Sequence, residues 1–110
     1  MTGVRNGPLV RYLSSSSGDV QIGQVPAGLT WLVKTVHLWN ISAAQSGGRV
    51  QMNSPDNALV AIVTTFDLEP NANVTWEGWT AMGPGDRLYL TADAGIFVWV
   101  AGAELPGAIP

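Results

Sequence analysis

The run Leu29 to Ile41, LTWLVKTVHLWNI, constrains this chain more than any other stretch. Its even positions are Thr30, Leu32, Lys34, Val36, Leu38 and Asn40, and its odd positions are Leu29, Trp31, Val33, Thr35, His37 and Trp39. Both sets are largely apolar, and β-branched and aromatic residues dominate. Such a run predicts a central strand, packed on one side and covered by a partner on the other. The β-branched density argues against a helix. So do the Pro26-Ala27-Gly28 turn before the run and the Ser/Gly-rich residues after it.

Around this run the chain reads as a series of short strands. Pro8–Leu13 and Asp19–Gln24 alternate on either side of the polar turn Ser14–Gly18. Ser42–Gly48 is expected to be a loop whose Gly47-Gly48 pair makes a tight reversal. Arg49–Asn53 alternates cleanly, and Ser54-Pro55-Asp56-Asn57 is a strong turn signal. Ala58–Leu68 is long and apolar enough to be central, and Glu69–Asn73 turns it back. Val74–Met82 carries two tryptophans flanking Gly78, where a bulge or a close backbone approach is expected. Gly83-Pro84-Gly85-Asp86 launches Arg87–Thr91, and Ala92–Gly95 is read as a hairpin onto Ile96–Ala101. The tail Leu105–Pro110, with two prolines, is expected to extend no strand far and either to dangle or to lie on a neighbour.

Eight strands at near-regular spacing, with no amphipathic helix, predict an all-β antiparallel sandwich of jelly-roll type. Residues 1–110 form one domain in this reading, with a short N-terminal arm and a proline-rich tail.

Composition narrows the function classes. There is no cysteine, so neither a disulfide framework nor a thiolate metal site is available. Arg5, Arg11, Lys34, Arg49 and Arg87 are spread singly in a chain of net charge −3, which excludes a basic nucleic-acid patch. The N-terminus lacks the apolar segment of a secretory signal, and no apolar stretch approaches membrane-spanning length. The chain is therefore expected to be made in the cytoplasm, without its own export address or a membrane partner. Charged residues make up only 12% of it, about half the usual share. That deficit predicts that part of its surface is covered by other chains.

Candidate catalytic groups are sparse. His37 is the single histidine and sits within the central run, where a strand or interface role is the simpler one. No serine lies in a Gly-x-Ser-x-Gly setting, and no Cys-His pair exists. Asp67 and Glu69 share a strand face in the manner of paired glycosidase carboxylates, but residues at a strand-to-turn junction usually just keep the turn wet, and that is the expected role here. Asp86 and Asp93 read as turn caps, and no calcium loop or phosphate loop surrounds them. No enzyme activity, cofactor or metal is expected. A cupin-like enzyme would need a histidine cluster that is missing.

Five tryptophans in 110 residues are the oddity: Trp31, Trp39, Trp76, Trp79 and Trp99. Two or three are expected in the core. Trp76 and Trp79, three apart, point to opposite faces of an unbroken strand, so at least one should leave the core. Exposed tryptophans beside so little charge favour a protein interface over a sugar platform. Lys34, Trp39, Trp76 and Trp79 are the candidate interface residues.

The order of elements resembles a known family. A turn VPAG feeds the apolar strand WLVKTVHLWN, followed by the small-residue loop ISAAQSGG and a strand carrying Val50 and Met52. LEPNANVTWEG, MGPGDRLYL and a closing VWVAGAEL come later. Over Gln24–Leu105 this is similar to the small β-sandwich structural proteins of tailed bacteriophages, of the head-decoration, head-fibre or tail-accessory type. The tryptophan load and proline-ended tail depart from the pattern. The resemblance implies a non-enzymatic virion protein, foremost a minor capsid or decoration protein. It also implies self-association, as a homotrimer or other symmetric oligomer, and attachment to the major capsid protein or to tail proteins. The alternatives are a tail-associated accessory protein and a carbohydrate-binding, receptor-recognition module that meets surface glycans through its tryptophans.

Overall fold

The computed structural model describes residues 4–14, 17–93 and 95–107. The expectations for the first residues of the N-terminal arm, for residues 15, 16 and 94 of two connections, and for the last three residues of the tail lie outside the described residues. Eight strands follow one another: β1 (Arg5–Leu13), β2 (Gly18–Gln24), β3 (Leu29–Asn40), β4 (Ser46–Asn53), β5 (Leu59–Leu68), β6 (Asn73–Met82), β7 (Arg87–Ala92) and β8 (Ile96–Pro106). They form two four-stranded antiparallel sheets. The front sheet has the order β1-β8-β3-β6 and the back sheet the order β2-β7-β4-β5. This is an all-β jelly-roll sandwich, as the strand count and spacing predicted.

Alternation builds the core. Val36, Leu38, Val98, Val100 and Ile96 from the front sheet meet Val50, Leu88 and Leu90 from the back sheet, all fully buried. Burying each such side chain contributes roughly 1.5–3 kcal/mol, so this interlayer holds the two sheets together.

The expected partner over the second face of β3 is not what makes both of its residue sets apolar. Register shifts fall at Lys34 in the pairing with β8 and with β6. This bulge changes which parity points inward. Trp31 and Val33 are buried before it, and Val36, Leu38 and Asn40 after it. Gly102 makes the bulge possible, because a Cβ there would collide with the Leu32 carbonyl oxygen. The neighbouring strands follow suit: β1 shifts between Pro8 and Val10, and β6 places Gly78 and Trp79 opposite Lys34. Gly78 also meets the Trp76 ring closely. A bulge line thus crosses the whole front sheet, adding local twist.

Three other expectations are corrected. Gly47 and Gly48 lie inside β4 rather than in a tight reversal. A Cβ on Gly48 would collide with the Thr91 carbonyl oxygen, so the small residue serves a close strand approach, not a turn. The Ala92–Gly95 connection is no hairpin, since β7 belongs to the back sheet and β8 to the front. Of the strands consecutive in sequence, only β4 and β5 pair with each other. Finally, Leu105 and Pro106 extend β8, paired with Thr30 and Leu29, and Gly107 N donates to Gly28 O at 2.8 Å. Pro106 is tolerated as the last residue of its strand.

Candidate functional site

The two outer faces differ in kind. On the front sheet, cross-strand pairing sets Leu13, Phe97 and Trp39 in one row, ending in Asn73. The next row is Arg11, Trp99, His37 and Thr75. Side chains directly opposite in such rows lie within contact distance. Leu13 is 47% exposed and Trp39 40% exposed, and Trp79 projects at the β6 edge with 72% of its surface open. The result is an aromatic and aliphatic face. Its polar groups are largely tied to one another: His37 Nδ1 and Thr75 Oγ1 are 2.7 Å apart, and Trp39 Nε1 donates to Asn71 Oδ1 at 3.2 Å.

On the back sheet the outer positions of β4 and β7 are largely polar, while the β5 edge exposes Leu59, Val60 and Ile62. Arg49, Gln51 and Asn53 of β4 stand beside Thr91, Tyr89 and Arg87 of β7. A hydrogen-bonded chain runs along β4: Arg49 Nε donates to Gln51 Oε1, Gln51 Nε2 to Asn53 Oδ1, and Asn53 Nδ2 to Asn57 Oδ1, at 2.7–3.0 Å.

Of the candidate interface residues, Lys34 is exposed at the bulge, and Trp39 and Trp79 are exposed on the front sheet. Trp76 pairs with the inward-facing Val36 and packs, half-buried, against the core. Phe97, Trp99 and Leu13 join the face without having been among the candidate interface residues. The alternation of Phe97 and Trp99 against Ile96, Val98 and Val100 was the signal that could have found them.

The candidate catalytic groups are dispersed. Asp67 accepts from Gln45 Nε2 at 2.9 Å, while Glu69 lies exposed beyond the end of β5. Asp86 Oδ2 accepts from Gly83 N at 2.9 Å, capping its turn, and the Asp93 carbonyl accepts from Ser14 Oγ. Among the described residues no three metal-ligating side chains come together. An open depression where the PAG and PGD turns meet, lined by Gln24, Val25, Pro26, Ala27, Pro84 and Gly85, offers no ionisable side chain.

Two carboxyls are held below their ordinary values: exposed Asp56, chiefly by the Ser54 hydroxyl, and Glu104. Trp31 Nε1 donates to Glu104 Oε2 at 2.9 Å, and Arg5 Nε pairs with Glu104 Oε1 at 3.2 Å. The indole hydrogen bond first, and then the guanidinium, holds the Glu104 carboxyl below its ordinary value. Trp31 is buried, so this arrangement ties the β1 and β8 ends of the sandwich to the core.

No protein-family model and no curated protein sequence matches the chain. Solved structures do. The core of Drosophila NLP, described in terms of pentamer formation and histone binding, aligns with a TM-score of 0.56 at 12% identity, over 94% of this chain and 99% of that one. A chain of infectious bursal disease virus, Gx strain, aligns with a TM-score of 0.51 at 9% identity, over 92% of this chain but 31% of its own length. A family 35 carbohydrate-binding module from an environmental isolate aligns with a TM-score of 0.42 at 14% identity, over 89% of this chain and 76% of that one. At such identities the first two similarities establish the shared fold and nothing finer.

Proposed function

We propose that this chain is a non-enzymatic structural subunit of a bacteriophage particle, a minor capsid or decoration protein. In this reading it self-associates through the outer face of its front sheet and attaches to the shell of the virion. The carrying observation is the asymmetry of the two faces. Leu13, Phe97, Trp39 and Trp99 form an aromatic and aliphatic surface across the middle of one, whereas hydrogen-bonded polar side chains line the middle of the other and its exposed aliphatics, Leu59, Val60 and Ile62, are confined to the β5 edge. Central aromatic anchors in a flat apolar patch are what subunit interfaces use. Closed symmetry would bury that patch in every copy. The fold lends support only insofar as it also occurs in NLP, whose core is described as a pentamer, and in a virus chain.

Light scattering on the purified chain tests this. The expected result is a defined oligomer, a trimer foremost, that falls apart when Trp39→Ser and Leu13→Ser are combined. Each substitution is expected to weaken association by about 2 kcal/mol, as for interface anchors. A strict monomer at high concentration would sink the reading.

A second reading, a carbohydrate-binding module, is favoured by Trp79 alone, whose ring stands open at the sheet edge. Quenching or a shift of tryptophan emission on adding neutral cell-wall sugars, absent in Trp79→Ala, would support it over the first.

A further inference from the structure

The back sheet carries two guanidinium groups that the assembly reading does not use. Arg49 on β4 and Arg87 on β7 sit on the same outer face, at the two ends of a patch centred on the paired residues Gln51 and Tyr89. Four residues of strand separate their rows, about 14 Å at the usual rise. Neither is neutralised: the ion pair present among the described residues is Arg5–Glu104. Two carboxylates share this face without pairing with Arg49, Asp19 in its row and Asp67 one step along β5. Asp19 accepts from Thr91 Oγ1 at 2.7 Å, and Asp67 accepts from Gln45. Arg49 turns along its strand toward Gln51, into the patch. Arg87 makes no side-chain hydrogen bond within the described residues, and its Nε is occluded without a partner.

Beneath these groups lies a floor of amides. Gln51 is 7% exposed and Asn53 5% exposed, although both stand on an outer face with no layer above it. Each has one amide hydrogen in the chain of bonds described above and one left over. The ring of Tyr89 stands beside Gln51 on one side, and exposed Ile62 is paired with it on the other. The buried amides hold the floor rigid, and the surface above them offers forked donors for carboxylates and apolar patches for the C–H faces of a ring.

We infer that the outer face of the back sheet between Arg49 and Arg87 binds an acidic oligosaccharide, its sugar carboxylates paired with the two guanidinium groups. A peptide fits less well. β4 and β7 are interior strands whose backbone groups are consumed by their neighbours, so this face offers no main chain for strand addition. The separation of the arginines exceeds one sugar ring, which calls for an oligomer with a carboxylate on more than one unit. This site lies on the sheet opposite the proposed assembly face and does not depend on it.

Calorimetric titration of the full chain with trigalacturonate and, separately, disialyllactose tests the inference. Binding of either probe is expected, and which of the two binds tells uronic from sialic acid sources. The methyl ester of trigalacturonate, or lactose as the neutral counterpart, should bind at least tenfold more weakly. Arg49→Gln and Arg87→Gln should each weaken binding at least tenfold, and Arg49→Lys should recover only part of it, since an ammonium does not present a fork. Trp79→Ala should bind as the parent does, which separates this site from the tryptophan platform. Thermal melts confirm that each variant is folded. Should Arg87→Gln unfold, Arg49→Gln alone decides. No heat with either acidic probe, equal binding of the neutral counterparts, equal binding of hexaglutamate, or unaltered binding by folded Arg49→Gln would each overturn it.

Discussion

At the scale of single residues, Asn40 shows how a polar side chain comes to be fully buried. Its Nδ2 donates to the carbonyls of Ala44, Leu68 and Glu69, and its Oδ1 accepts from the Ser42 amide and hydroxyl. The end of β3, the following loop and the end of β5 are thereby tied at one point. Asn40→Ala leaves those carbonyls and the Ser42 donors short of partners. It should destabilise the fold by about 2–4 kcal/mol in a urea melt, on the scale set by unsatisfied buried polar groups. The sequence marked Asn40 only as the last residue of an apolar run, because its partners are all remote or in a loop. Glu104 is a residue whose effect depends on pH. Its carboxyl is held low in the folded protein, so its contribution is complete above the ordinary glutamate range. That contribution is lost as pH falls through the depressed folded value. The stability curve of Glu104→Gln should therefore be flatter than the parent's on the acid side, with the two converging at the lowest pH. Curves that stay parallel would show that Glu104 contributes nothing through ionisation.

At the scale of elements, β3 carries the lesson. Its two apolar residue sets look like one strand buried on both sides, yet they are two half-strands of opposite phase joined at Lys34. A phase change of one residue sends every side chain to the other face. Deleting Lys34 should therefore drive either Trp31 and Val33 or Val36 and Leu38 outward, and should abolish cooperative unfolding. Lys34→Ala keeps the residue count, and its melt should stay within about 0.5 kcal/mol of the parent, as for other surface substitutions. A cooperative melt from the deletion would show that the phase change is not needed. The bulge was invisible in the run itself, because its cause is Gly102, nearly seventy residues away.

At the scale of the whole molecule, pairing is almost entirely between strands far apart in sequence. β1 pairs with β8, β2 with β7 and β3 with both β8 and β6, and the one local hairpin is β4–β5. Loop closure must precede the reward of such contacts, so folding is slow. Stopped-flow refolding followed by the emission of the tryptophans, Trp31 buried among them, should relax in milliseconds to seconds or longer. Microsecond folding would contradict the topology. The same crossing of the chain between layers explains why Ala92–Gly95 read as a hairpin. A turn signal records that the chain reverses, not which sheet receives it.

What the residues determined by themselves is the strand inventory. Period-two alternation and Gly/Pro/Asn punctuation are local, and they place all eight strands and the all-β class. Only the tertiary structure decided which strands pair and where the register slips. It also decided which aromatic rings share a face, so that Trp39 joins Phe97 and Leu13 while Trp76 turns to the core. Those outcomes depend on contacts between residues remote in the chain, and short-range sequence patterns carry no record of them.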